Sequence, residues 1–124
     1  MEEKKITHDQ LQKMCFDHLW NHYPTTRRTF WHTPNEQRRY PGETDKQHMI
    51  RLSQAKSIGV LKGVVHQVWY WKGELITFDI KVGADSLSDD QIKFIDAIKV
   101  QGGSFYEISS LDQFKQVIDL ILNC

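Results

Sequence analysis

A Ser or Thr followed three residues later by Gln occurs at Thr7–Gln10, Thr44–Gln47 and Ser88–Gln91. In such a box the hydroxyl accepts from the backbone N–H of the third helical residue. The amide side chain reaches back to the N–H of the cap, so two otherwise orphaned donors are satisfied together. Three boxes fix three helix starts in 124 residues and leave only the intervals for a sheet. After Thr7, the positions Leu11, Met14, Cys15, His18 and Leu19 keep a helical period. That helix should stop before Tyr23-Pro24, because the residue ahead of a proline avoids the helical region. The Thr44 helix is expected to run to about Ser57, with Ile50 on its buried side and Gly59 near its end. The Ser88 helix is expected to bury Ile92, Ile95 and Ile98 and to end at Gly102-Gly103. A last helix should follow Ser110, with Phe114, Val117, Ile118, Ile121 and Leu122 as its apolar stripe. Asp89, Asp90 and Asp112 fall in first turns, where the helix dipole favours anions.

The intervals read as strands. Val64 to Trp71 is β-branched and aromatic, Lys72-Gly73 is a two-residue turn, and Glu74 to Val82 returns as a hairpin. Residues 103–108 form a further short strand, and Arg28 to His32 an extended segment before Pro34. Helix, extended segment, helix, hairpin, helix, strand, helix is the order of an α/β domain with a mixed sheet flanked by helices. One domain over residues 1–124 is expected at this length.

Composition narrows the class. A hydrophobic share of 40% with 26% charged residues suits a packed core and excludes disordered or collagen-like chains. No apolar run approaches the roughly 20 residues of a membrane span, and the start does not read as a signal peptide. Cys15 lies in an apolar helical pattern and Cys124 is far from it, without zinc spacing; a reducing, cytoplasmic setting is expected. The zero net charge conceals an asymmetry. Residues 24–63 hold eight Lys or Arg against three acidic residues, whereas residues 73–124 hold four Lys against nine. Clustered Arg on a neutral protein is compatible with one phosphate-binding face.

Chemistry is most legible on the second hairpin strand. Ile76, Phe78 and Ile80 alternate with Thr77, Asp79 and Lys81, so Asp79 and Lys81 project side by side. A carboxylate there can hold a cation, and the ammonium can orient water or balance phosphate charge. Alone, the pair reads as an exposed ion pair on a solvated sheet face. Gln91 completes a cap, and Asn35 favours a turn after Pro34. Among Trp69, Tyr70 and Trp71 some rings should be core. Trp31 and His32 could stack on unpaired bases, although core packing is the simpler expectation. His18 and His22, four apart on one helix, have a metal-compatible spacing but no third ligand in view.

The surrounding text is more specific. Gly63, Asp79-Ile80-Lys81, Gly83, Leu87-Ser88-Asp89-Asp90-Gln91 and Gly102 follow one another as in the core of the virus-type replication–repair nuclease domain. Upstream, Pro34, Asn35 and Arg38 or Arg39 are similar to that family's Pro-Asn-Gly-Gly-x-Arg segment, and residues 52–63 to its approach to the metal-binding strand. The resemblance runs from about residue 8 to residue 122 and places the chain beside the PD-(D/E)xK nucleases. It implies a restriction-endonuclease-like fold and metal-dependent hydrolysis of phosphodiester bonds in DNA, branched or flapped, in replication or repair.

By that resemblance Asp79 holds the metal, Lys81 positions the water or stabilises the phosphorus, and Gln91 assists. Arg27, Arg28, Asn35, Arg38 and Arg39 hold nucleic acid. The chain departs from the pattern at two acids. Val65-His66 stands where the family has Pro-Asp, and His8 falls on the acidic position of the first helix. His66, Asp79 and His8 would then be the metal set, with one carboxylate and two imidazoles instead of three carboxylates. Mg²⁺ prefers oxygen ligands, whereas imidazole suits Mn²⁺ or a softer transition metal better. Asp9 or Glu36 offers a substitute carboxylate. The same exchange leaves open a degenerate nuclease-like fold that binds nucleic acid or a protein partner without cleavage. No membrane partner is expected, and a homodimer is admitted.

Overall fold

The computed structural model describes residues 6–33, 39–59, 64–65, 67–83 and 86–123. These form four helices, α1 (His8–His22), α2 (Asp45–Ser57), α3 (Asp89–Val100) and α4 (Leu111–Leu122), and a short 3-10 turn at Pro24–Thr26. Four strands accompany them, β1 (Phe30–His32), β2 (Gln67–Trp71), β3 (Glu74–Ile80) and β4 (Ser104–Ile108). The mixed sheet has the order β1-β2-β3-β4; its first two pairings are antiparallel, and β3 lies parallel to β4. A parallel pair needs a crossover, and α3 is that crossover.

All three expected capping boxes form, at Thr7, Thr44 and Ser88. A fourth Ser-x-x-Gln, Ser110 to Gln113, was legible in the same way. There the Ser110 hydroxyl accepts from Gln113 N at 3.1 Å, but the Gln113 amide oxygen accepts from Ser109 N at 2.8 Å instead of closing the box. The hairpin turns at Lys72 and Gly73 with positive φ at both, 47° and 83°. That is the conformation a two-residue connection demands, and glycine meets it without a Cβ penalty whereas lysine does not. The strands are shorter than expected: β2 begins at Gln67, not Val64, and β3 ends at Ile80, not Val82.

The core lies on one face of the sheet. Leu11, Cys15 and Leu19 of α1 and Phe114 and Ile118 of α4 pack there against Phe30, Trp69, Ile76, Phe78, Ile80 and Ile108. Phe114 meets Phe78 edge-on at 5.3 Å between centroids and Phe30 at 6.2 Å. Burial pushes the Cys15 thiol up to about 12, as expected for a thiol removed from water.

Several burial expectations are corrected. Among the described residues α2 has no buried side chain, and Ile50 is 46% exposed. A helical period here does not mark a core face. On α3 Ile95 is buried while Ile92 is exposed and Ile98 half-buried. Trp31 is 45% exposed because β1 is an edge strand and only Phe30 of its first two residues turns inward. Trp69 is fully buried and Tyr70 exposed.

Candidate functional site

Asp79 is the next-to-last residue of β3, and the first turn of α3 returns over it. The face expected to be solvated is therefore covered: Val68, Thr77 and Asp79 are all buried, Asp79 completely. The Lys81 ammonium lies 3.0 Å from Asp79 Oδ2, with side chains 12% and 0% exposed respectively. The Lys81 backbone N–H donates to Ile108 O at 2.8 Å, which fixes the residue just past the end of β3.

Gln91 joins the two. Its Nε2 donates to Asp79 Oδ1 at 3.4 Å, and its Oε1 accepts from Lys81 Nζ at 3.4 Å. The same Oε1 accepts from Ser88 N at 2.9 Å, and Gln91 N donates to the Ser88 hydroxyl at 3.2 Å. The cap and the contacts to Asp79 and Lys81 are one arrangement. A carboxylate, an ammonium and an amide thus close a ring at the start of α3, where the helix N-terminus adds its own positive field.

The expected metal set is less complete. His8 sits at the start of α1 with Nδ1 3.5 Å from Asp9 Oδ1. His66 and Glu36 lie outside the described residues, as do Asn35 and Arg38. No group of three His, Cys, Asp or Glu able to hold a metal gathers among the described residues. Asp79 supplies one carboxylate whose two oxygens already face Lys81 and Gln91. The described donors do not make a divalent-metal site.

The expected nucleic-acid contacts divide. Arg27 Nε donates to Trp20 O at 2.8 Å and its guanidinium lies 5.0 Å from the Trp20 ring, so it finishes α1. Arg39 pairs with Asp45 at the start of α2. Arg28 is exposed, next to the edge strand that carries the exposed Trp31 and His32. The His18 and His22 rings lie 5.0 Å apart, tilted by 48°, and His18 also meets Phe114 edge-on. Burial first, then the neighbouring His22, lowers the His18 pKa, so this pair belongs to the core margin.

Sequence reasoning missed a second feature at the same end of the sheet. Asp9, Gln12, Lys13, Phe16, His32 and Gln67 line an open cleft of about 450 Å³ between α1 and the first residues of β2. His32, Gln67 and Phe78 are successive partners across the strands, which places the cleft beside the end of β3. A glutamine opening a strand of Val, Trp and Tyr was the available signal. No helix among the described residues is long and apolar enough to cross a membrane. No family model, curated protein or solved structure matches the chain.

Proposed function

We propose that the chain is a nuclease-like protein of restriction-endonuclease-like fold that engages the phosphodiester backbone of DNA where Asp79, Lys81 and Gln91 meet. The observation that carries the reading is their convergence: three residues assigned one site by the resemblance lie on two elements and contact one another. In this reading Lys81 sets positive charge against a phosphate, Asp79 fixes the ammonium, and Gln91 ties both to the start of α3. Arg28 and the exposed Trp31 on the edge strand offer a phosphate contact and a stacking surface. A divalent metal, Mg²⁺ or Mn²⁺, would supply the activated water of a cleaving enzyme.

The test is cleavage of flapped and branched duplexes by the full chain with Mg²⁺ or Mn²⁺. Loss of cleavage in both Asp79→Ala and Lys81→Ala, with folding verified, supports hydrolysis; unchanged activity in both variants overturns it. A second reading, binding without cleavage, is favoured by the donor set, since no three His, Cys, Asp or Glu gather to hold a metal among the described residues. It predicts salt-sensitive DNA binding that a chelator leaves intact, and no product with either metal.

A further inference from the structure

Two aromatic side chains stand exposed on the face of the sheet that carries Asp79. Directly paired residues share a face, and successive residues alternate. Phe30, Trp69 and Ile76 are partners across β1, β2 and β3 and lie in the core, so Trp31, Val68 and Thr77 share the opposite face. Tyr70, two residues after Val68, and Asp79, two after Thr77, are on that same face. Val68, Thr77 and Asp79 are buried there, whereas Trp31 is 45% and Tyr70 51% exposed. α3 packs against β4, and both aromatic residues sit on the β1–β2 side of the sheet. Because Trp31 pairs with Val68, it is the diagonal neighbour of Tyr70, roughly 7–8 Å away, a spacing at which two large rings make one surface.

Cations mark both ends of this surface. Thr29 O accepts from Tyr70 N at 2.8 Å, which brings the exposed Arg28 to the Tyr70 end. The nearest acid on the hairpin, Glu74, pairs with Trp71 and so projects to the core side, where it accepts from the Ser104 hydroxyl. In the other direction the strand spacings put Asp79 about 12 Å from Trp31, with Lys81 just beyond it. Tyr70, Trp31 and Asp79 thus follow one another along the strands, between a guanidinium and an ammonium. Exposed aromatic faces between two cations fit a chain of phosphates whose bases are unpaired; a duplex keeps the faces of its bases to itself. Resting on the reading that the chain binds DNA, we infer that Trp31 and Tyr70 form a platform on which successive bases of an unpaired DNA strand stack, with its backbone led from Arg28 toward Lys81. The substrate class is then DNA with a single-stranded segment, not blunt duplex.

Stacking of one base on an aromatic side chain is worth roughly 5- to 100-fold in affinity. In fluorescence anisotropy at low salt, Trp31→Ala and Tyr70→Ala should each weaken binding of single-stranded oligo-dT by about that factor. A blunt duplex of equal length should bind the variants as it binds the wild type. Trp31→Phe and Tyr70→Phe keep a stacking face and should retain most of the affinity for oligo-dT. Oligo-dT should also quench the tryptophan fluorescence of the wild type more than that of Trp31→Phe, a readout that stands even if an alanine variant does not fold. Oligo-dT affinity unchanged in both alanine variants would overturn the platform, as would an equal loss on blunt duplex. If Trp31→Ala alters sedimentation of the free chain but not oligo-dT affinity, the face joins two copies of the chain and the inference fails. No binding of any DNA, single-stranded or duplex, defeats the DNA reading itself, an outcome distinct from duplex binding without a preference for single strands, which defeats the platform alone.

Discussion

The Asp79–Lys81 pair allows a quantitative test of what holds this end of the sheet together. At 3.0 Å, with an effective permittivity of about 20, the attraction is about 5 kcal/mol. Desolvating the two ions costs several kcal/mol each, so the intact pair contributes little net stability. Removing one partner is different. Lys81→Met strands a carboxylate that is 0% exposed, which costs about 3–5 kcal/mol. For a chain of this size 3 kcal/mol corresponds to a fall in Tm of roughly 10 °C. Asp79→Asn strands a lysine that is 12% exposed and can turn its ammonium to water, so it should cost less, about 1–2 kcal/mol. The double variant Asp79→Asn/Lys81→Met should be more stable than Lys81→Met alone. Urea unfolding followed by the fluorescence of the four tryptophans measures all three. A Lys81→Met cost below about 1 kcal/mol, or strict additivity in the double variant, would refute the clamp.

Four further outcomes are expected. Glu43 is held well below its ordinary 4.5, at about 2, chiefly by hydrogen bonds from Arg51, with His48 and Tyr40 N adding to it. A depressed carboxylate stabilises above its unfolded value and loses that contribution as pH falls, so α2 helicity by circular dichroism should decline between pH 4.5 and about 2 in the wild type. Glu43→Gln should flatten that decline. Gly103→Ala should destabilise measurably in thermal melts, because its Cβ would meet Ile98 Cγ2 at 2.4 Å and Leu75 O at 3.0 Å. Lys72→Asn should stabilise by a few tenths to about 1 kcal/mol in urea, since Asn tolerates the positive φ that Lys72 adopts. Cys15 should stay unreactive toward a thiol reagent at pH 8 in the native chain and react fully in denaturant, since burial holds its thiol near 12.

Element positions were legible because their causes are local. A hydroxyl and an amide three apart, a Lys-Gly turn, and a proline after Tyr23 each act within a few residues, and every one formed where it was read. Burial was not local. Ile50 and Ile92 have the right period but are exposed, and nothing in their own helices could show that. Asp79 failed in the opposite direction. Strand alternation gave its face correctly, but whether water or α3 lies on that face depends on the crossover from β3 to β4. The cleft escaped notice for the same reason: Gln67, Phe16 and His32 come from three elements.

That contrast changes which residues carry functional weight. Gln91 caps α3 and bonds Asp79 and Lys81 in one geometry, so a demand for a stable helix start and a neutralised buried carboxylate accounts for all three. Their resemblance to a nuclease signature is therefore explained twice, once by chemistry and once by folding. Gln67 also has a role in folding, since its Nε2, held by Gln12 O at 3.1 Å, ties β2 to α1. Its buried carbonyl has no hydrogen-bond partner among the described residues.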